Sequence, residues 1–206
     1  MDKFTRLTGT ACPLDVTNLN TDQILPARYL KLPRSAEIGK ALFQDLRFDA
    51  DGSERRDFPL NQPVWRDAKI IVAGRNFGCG SSREAAVYAL YYYGIRCVIA
   101  PSFGDIFAGN AAQNGLLAAI VSDDEATEIA AALNRTPQLS VTVDLEQQAI
   151  ACGNRTYTFS IDQVRRVRLL NGWDDIALTE HFRDRIAAFK TRDRAHRPWA
   201  FPHVRQ

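Results

Sequence analysis

One short run, Gly78-Cys-Gly-Ser-Ser-Arg83, concentrates the residue types best suited to binding an acid. A glycine-rich turn before a helix exposes backbone N–H groups that bind carboxylate or phosphate. Ser81 and Ser82 add two hydroxyls, and Arg83 adds a planar guanidinium that can hold a carboxylate through two hydrogen bonds. We therefore predict an anion-binding loop formed by Gly78, Cys79 and Gly80.

The same run has a purely structural alternative, because serine before a helix commonly caps the free N–H groups of the first turn. Three other templates do not fit. The run has no Gly-Lys-Ser/Thr of a phosphate loop, no third glycine of a dinucleotide fingerprint and no Gly-x-Ser-x-Gly nucleophile elbow. These absences exclude those three chemistries.

The four cysteines, at positions 12, 79, 97 and 152, are too scattered to form a recognisable metal site. No two form a Cys-x-x-Cys pair, and no histidine stands near them at zinc-ligand spacing. We therefore expect no metal in this chain and interpret most of these thiols as small core residues. Only Cys79 lies in a loop that could do chemistry.

The elements that must position the glycine run alternate between strand and helix. An apolar strand over Lys69–Ala73 leads into the run, and an alanine- and tyrosine-rich helix over 83–93 follows it. The order repeats with a strand over Ile95–Ala100, a helix over 103–114 and a strand over Leu116–Val121. This alternation predicts an α/β fold with a largely parallel central sheet.

The flanking regions are less regular at the N-terminus than at the C-terminus. Five prolines in the first 65 residues predict an irregular N-terminal region. Ser122, followed by three acidic residues, predicts a capped helix start. Further predicted elements are a helix over 123–133, strands over 139–145, 148–152 and 156–159 that suggest a second β layer, a helix over 161–170 ended by Gly172, and a last helix from Asp174-Asp175 to about Lys190.

Length and charge favour a single domain over residues 1–206, with a flexible tail over 192–206. The 26 basic and 24 acidic residues nearly balance, which argues against nucleic acid as the main partner. No stretch is apolar enough for a membrane span, and the N-terminus has no signal-peptide pattern. We therefore predict a cytoplasmic protein.

A longer string, Val72–Glu84, resembles the signature of the aconitase superfamily's swivel domain, specifically that of the small subunits of 3-isopropylmalate dehydratases. Asn18–Lys31 resembles the early Asn-x-x-Thr-Asp-x-Ile-x-Pro motif of that family and its substrate-specificity loop. Ser102–Phe107 resembles the segment after the glycine loop. Leu170–Ile176 and Arg197–Trp199 resemble the closing motifs, so the resemblance covers nearly the full length in order.

The resemblance implies a single swivel-type domain layered β/β/α. It also implies a hydro-lyase of leucine biosynthesis that interconverts 2-isopropylmalate and 3-isopropylmalate by removing and re-adding water. The chain would act only with a large subunit, whose [4Fe-4S] cluster serves as Lewis acid. Ser81 matches the family's alkoxide base, and a helix N-terminus with Arg83 would favour its negative form. The positions that the resemblance assigns to substrate binding are Ser82, Arg83, Asp22, Thr21, Arg28, Lys31 and Arg34.

Structural alternatives remain for several of these residues. Thr21 and Asp22 could simply form a polar turn before Pro26, and the three basic residues of the specificity loop could be solvated. Glu84 fits the orientation of Arg83 or helix capping better than proton transfer.

Two positions depart from the family's usual pattern. Ala85 stands where the family usually has histidine, and Gly104 stands where alanine is commoner. The departure at Ala85 leaves the substrate open, and a paralogue for a methylmalate/citraconate or homoaconitate type of acid is the nearest alternative. A non-catalytic anion-binding swivel module is the alternative from another class.

Overall fold

The computed structural model describes residues 1–81 and 83–201 of the chain. Ser82 and the end of the predicted tail, residues 202–206, lie outside the described part. Within it, a seven-stranded sheet has the order β4-β3-β2-β1-β5-β6-β7. The strands are β1 (Arg6–Leu14), β2 (Ile70–Ala73), β3 (Cys97–Ala100), β4 (Leu117–Ile120), β5 (Ser140–Asp144), β6 (Ala149–Cys152) and β7 (Arg155–Thr158).

Four strands, β1 to β4, form a parallel half that confirms the predicted α/β class. β2 lies between β1 and β3, with Ala11 opposite Ile70 and Ile71 opposite Val98. Helices α4 (Glu84–Tyr93) and α5 (Asp105–Gln113) make the crossovers from β2 to β3 and from β3 to β4. All residues of β2 and β3 are buried, as expected for strands covered on both faces.

The other half of the sheet is antiparallel and supplies the predicted second layer. β5 pairs with β1, and β6 and β7 follow as antiparallel neighbours. Helix α6 (Asp123–Arg135) lies between the two halves, because its buried Ile129 and Leu133 share one apolar cluster with Val72 of the parallel half and Val141 of the antiparallel half. One curled sheet therefore provides both β layers of the predicted β/β/α arrangement.

Strand β1 contradicts the prediction of an irregular N-terminal region. Its two parts have different partners: residues 6–10 pair with β5, and residues 11–14 pair with β2. Gly9 and Pro13 are poor strand residues, and residues 11–14 are all buried, so the sequence lacks the alternation that indicates a strand. Pro13 is tolerated because only one side of the strand is paired there.

Residues 15–65 remain largely irregular, as predicted, and cover the other face of the parallel half. They contain the short helices α1 (Thr21–Ile24), α2 (Ala36–Lys40) and α3 (Gln44–Arg47). Their buried apolar side chains join α4 and Phe77 in a second cluster. This cluster places the N-terminal segment against the glycine run.

The C-terminal helices begin and end close to the predicted positions, with one exception. Helix α7 (Gln163–Asn171) ends at Gly172, which has the predicted left-handed conformation with φ of 69°. The predicted last helix is two helices, α8 (Asp175–His181), capped by Asp174, and α9 (Arg183–His196). α9 thus extends past Lys190 into the region predicted as tail. None of the helices described is long and apolar enough to cross a membrane.

Candidate functional site

Three chain segments that are far apart in sequence meet at the glycine run. The run follows β2, and its Phe77 amide donates to the Ser102 carbonyl at 3.0 Å, while the Gly104 amide donates back to Phe77 at 2.9 Å. On the other side, the Gly78 amide donates to the Leu19 carbonyl at 2.7 Å. The carboxyl ends of three parallel strands therefore assemble the predicted motifs into one place.

Two asparagines outside the predicted set hold the entrance to the run. Asn76 and Asn18 both have positive φ, of 60° and 58°, and the Asn76 side-chain amide donates to the Asn18 side-chain oxygen at 2.9 Å. The Asn76 backbone amide also donates to the Ser102 hydroxyl at 2.9 Å. Asparagine tolerates the left-handed conformation well, but nothing in a single sequence shows which asparagine adopts it.

The first glycine of the run serves packing as well as turn geometry. Gly78 has φ of 71°, and a Cβ there would lie 2.2 Å from the Phe107 ring. Gly104, one of the departures from the family pattern, is equally close-packed, since a Cβ there would lie 2.6 Å from the Gly78 carbonyl oxygen. Because the Gly78 amide is bound to Leu19, it does not serve as an anion donor, which corrects that part of the predicted loop.

Thr21 ties the N-terminal segment to the serine proposed to react. Its amide donates to the Cys79 carbonyl at 3.0 Å, and its hydroxyl donates to the Ser81 carbonyl at 2.8 Å. The Thr21 side chain is buried, and its hydrogen-bond partner lies 60 positions away in the sequence. It therefore does not form the local turn considered as an alternative. Asn20, not Thr21, caps α1, in a reciprocal pair with Gln23.

Ser81 is exposed and lies just before α4. The N-cap residue of α4 is Arg83, so Ser81 is not the capping residue of the structural alternative. Its carbonyl is fixed by Thr21, which leaves the side chain to project from an anchored backbone. The arrangement places a hydroxyl near the positive end of a helix, where negative charge is favoured.

Arg83 forms an ion pair with Asp22 across the same junction. The Arg83 side chain is only 21% exposed, whereas that of Asp22 is 52% exposed. The structure therefore brings together two residues predicted separately as substrate contacts. A guanidinium with one partner of this kind is held in a fixed orientation and still has donors for a second carboxylate.

Glu84 is the centre of a network that the sequence analysis missed. Its carboxylate accepts a hydrogen bond from the Asn114 side chain at 2.9 Å and lies 3.7 Å from Arg34. The Arg34 guanidinium lies 3.8 Å from the centre of the Tyr88 ring. Partial burial alone would raise the pKa of Glu84, but the hydroxyl of Tyr88, the amide of Asn114 and the charge of Arg34 together hold that pKa below its ordinary value.

This network places Arg34 differently from the other two basic residues of the specificity loop. Arg34 is bound to α4 beside the glycine run, whereas Arg28 pairs with Asp45 of α3 and lies over the Tyr29 ring. Lys31 is exposed and makes no ion pair with any residue that the structure describes. The structure thus gathers Arg34 into the site region and directs Arg28 away from it.

The cysteines differ sharply in environment. Cys12, Cys97 and Cys152 are buried, and burial raises the pKa of the Cys12 thiol to about 12. Cys79 is partly exposed, and its thiol donates to the Asn18 carbonyl at 3.3 Å. Among residues 1–81 and 83–201, no three His, Cys, Asp or Glu side chains are placed to share a metal ion.

A cleft lies beside this site, against α6. It has a volume of about 320 Å³ and is lined by polar residues that include Asp15, Thr17 and Arg75. None of the predicted site residues that the structure describes lines it. Four of them, Thr21, Asp22, Ser81 and Arg83, instead lie together at the start of α4, where Ser81 is exposed.

The chain is similar to known proteins over nearly its whole length. Residues 1–124, which include β1 to β4 and the glycine run, match the family described as the aconitase C-terminal domain. The 3-isopropylmalate dehydratase small subunit of Rhodospirillum centenum is 50% identical, over 97% of this chain and 99% of the relative. The chain belongs to the family of 3-isopropylmalate dehydratase small subunits. The resemblance inferred from the motifs is thereby confirmed.

Other members of the family agree. The small subunits of Allorhizobium ampelinum and Brucella canis are 48% and 47% identical, each over 97% of this chain and all of the relative. The crystal structure of 3-isopropylmalate dehydratase (leuD) from Methanocaldococcus jannaschii has a TM-score of 0.65 at 29% identity. It covers 90% of this chain and 99% of its own, so the fold assignment extends beyond the motif region.

Proposed function

We propose that this chain is the small subunit of a 3-isopropylmalate dehydratase, a hydro-lyase that interconverts 2-isopropylmalate and 3-isopropylmalate in leucine biosynthesis. The observation that carries the proposal is the meeting of Ser81, Arg83 and Asp22 at the start of α4. The same chain is half identical to a protein of that name along 97% of its length. We further propose a single swivel domain over the whole chain, working in the cytoplasm.

The proposed role of Ser81 is to remove the proton next to a substrate carboxylate. That proton is very weakly acidic, so the reaction needs a strong base and stabilisation of the developing charge. A serine hydroxyl is a poor base unless its negative form is stabilised, which the N-terminus of α4 and the nearby Arg83 both favour. The hydrogen bond from Thr21 to the Ser81 carbonyl holds the backbone from which the hydroxyl projects.

The proposed role of Arg83 is to hold a substrate carboxylate while Asp22 orients it. Asp22 already occupies part of the guanidinium, so the substrate would meet a side chain that has little rotational freedom left to lose on binding. Ser82, which lies outside the described residues, is proposed as a second contact by its position in the motif. Lys31 is the proposed contact for the substrate's variable end.

The proposed partner is a large subunit, as the names of the relatives imply for those proteins. When bound, its [4Fe-4S] cluster supplies a Lewis acid for the substrate hydroxyl. The residues of this chain would then contribute the base and the carboxylate contacts from the facing side. An open surface at Ser81 suits a half-site of this kind.

Anaerobic reconstitution with the large subunit of the same organism tests the proposal. We expect turnover of isopropylmalate, and we expect Ser81→Ala to lower kcat by about 10²- to 10⁴-fold, the usual contribution of a positioned base. Assembly, measured by sedimentation, should be unchanged, and Ser140→Ala, at an exposed position at the start of β5, should behave like the parent. Substantial activity in Ser81→Ala would show that the base is another residue.

A second candidate substrate is favoured by one position. Ala85 directly follows Glu84 and is partly exposed. Its methyl group lies where the family pattern usually has the imidazole of a histidine. A methylmalate/citraconate or homoaconitate type of acid could use that space. Comparing kcat/KM for isopropylmalate with that for the shorter and longer acids decides the matter, and isopropylmalate should be the best substrate.

A chain that binds neither the large subunit nor any hydroxy acid would instead support a non-catalytic anion-binding module.

A further inference from the structure

Helix α9 (Arg183–His196) extends from the rest of the chain without burying any side chain. Its two ion pairs are local, from Arg183 to Glu180 and from Arg197 to Asp193. Helices of about this length are marginal in water, and in proteins they are usually stabilised by packing. The described part of the chain does not provide that packing surface, so α9 is suited to a surface on another molecule.

An apolar stripe runs along one face of α9. Phe182, Ile186 and Phe189 stand at i, i+4 and i+7, the spacing by which a helix is anchored in a groove. Phe189 is 51% exposed, and Trp199, just past the helix, is 77% exposed. Exposed aromatic side chains spaced along one helix face are typical of protein–protein contacts.

The stripe is bordered by positive charge. Arg185 lies 5.3 Å from the centre of the Phe182 ring, and Arg192 lies 5.8 Å from that of Phe189. Between Arg183 and Arg197 the sequence has six basic and two acidic residues, a local excess larger than the net charge of +2 of the whole chain. Four of the basic side chains have no carboxylate within 4.0 Å among the residues described: Arg185, Lys190, Arg192 and Arg194. The complementary surface is therefore apolar in the middle and acidic at its rim.

The composition of the same face of α9 favours a protein partner over a lipid surface. One turn beyond Phe189, the stripe continues with Asp193, paired with Arg197. A carboxylate in line with the apolar residues would have to enter the hydrocarbon boundary of a membrane, which is unfavourable. A protein groove can offer polar partners at that depth, so a protein fits the face better.

We propose that α9 and the turn bearing Trp199 dock into an apolar groove with an acidic rim on the large subunit. This inference rests on the function proposed above, because that function supplies the partner. It assigns the C-terminal segment to assembly and leaves the chemistry to the glycine run. The docking helix would hold the two halves of the site together from outside the site.

The test measures the affinity of the full-length chain for the large subunit of the same organism by anaerobic calorimetry. Phe182→Ser combined with Phe189→Ser should weaken the Kd by about 100-fold, as for the loss of two central aromatic anchors. Arg185→Gln combined with Arg192→Gln should weaken it by about tenfold and reduce its dependence on salt. Val164→Ser, at a 57% exposed apolar residue of α7, is the matched control and should change nothing.

Turnover with each variant at saturating concentration should equal that of the parent, because α9 has no proposed part in the reaction. Circular dichroism and thermal unfolding check that each variant folds. A Kd within twofold of the parent for both double variants overturns the proposal. Binding to phosphatidylglycerol vesicles that these variants lose, with subunit affinity unchanged, overturns it in favour of a lipid surface. Self-association that only the parent shows, again with subunit affinity unchanged, overturns it in favour of a second copy.

The two proposals fail in different ways. If the full-length chain neither binds the large subunit nor supports turnover, the proposed function fails. If it does both and the α9 variants bind as tightly as the parent, only the docking proposal fails.

Discussion

Gly78 illustrates how a residue with no side chain determines the shape of the site. Its positive φ and its contact with Phe107 are separate requirements, because a side chain would suffer both backbone strain and overlap with the ring. Gly80 has a similar φ of 86°, but the nearest atom to a Cβ there is 3.5 Å away. Gly80 is therefore needed for its backbone conformation alone, whereas Gly78 is needed for both its conformation and its packing against Phe107.

We predict that Gly78→Ala lowers the free energy of unfolding by about 2–4 kcal/mol, from strain and overpacking together. Gly80→Ala should cost only about 1 kcal/mol, from strain. Urea unfolding of both variants measures the difference. Equal losses would mean that Phe107 moves aside without cost.

At the residue scale, the sequence identified most of the site's members but not their partners. The glycines, serines and Arg83 could be singled out because their types and order suit anion binding. The pairing of Arg83 with Asp22 could not, since the two stand 61 positions apart and only the fold brings them together. Glu84, Asn114 and Arg34 were missed as a network for the same reason.

At the scale of elements, the alternation after Lys69 was enough to predict β2, α4, β3, α5 and β4 within a few residues. These elements are regular, local and strongly patterned. β1 was missed because its partners change half-way along it and its inner residues are buried on both faces. Its burial pattern follows from its neighbours in space, which a single sequence does not display.

The contact between the specificity loop and α4 depends on the ionised form of Glu84. The pKa of Glu84 in the folded chain lies below its ordinary value of 4.5, so the folded state favours the charged form. This stabilisation is complete above the ordinary value, decreases as the unfolded chain takes up a proton, and is lost as the pH falls through the folded-state pKa. The Glu84 side chain is 42% exposed, so solvent limits the effect to less than about 1 kcal/mol.

We predict that the free energy of unfolding falls more between pH 6 and pH 4 in the parent than in Glu84→Gln. The glutamine keeps a polar partner for Asn114 and removes the titration. Chemical denaturation at the two pH values measures the difference, with Glu146→Gln at an exposed position as the control. An identical decrease in parent and Glu84→Gln would show that the network does not depend on the charge.

At the scale of the whole molecule, the reaction rates of the four thiols measure how readily the core opens. Cys12 and Cys97 lie in different apolar clusters, on opposite faces of the parallel half of the sheet. Burial raises the pKa of both, so little of either thiol is present as the reactive thiolate while the core stays closed. Cys79 is partly exposed, so a reagent can reach its thiol without opening of the core.

We predict that iodoacetamide modifies Cys79 in the native chain at least about 100-fold faster than the three buried cysteines, since reaction there requires opening of the core. Mass spectrometry of the peptides over time gives the four rates. Cys79→Ser should abolish the fast phase and leave the slow ones unchanged. Fast modification of Cys97 would contradict the packing described for β3.

The central position of β1 sets the order of events when the chain is made. β1 is synthesised before both of its partners, which follow at residues 70–73 and 140–144. During that time its apolar residues 11–14 and the backbone groups on both sides of the strand have no native partner. The two pairings of β1 are therefore late and non-local, and pairing of this kind is slow and exposed to aggregation. A strand made before its partners is thus among the last to be paired, and we expect chaperones to improve the yield of folded chain.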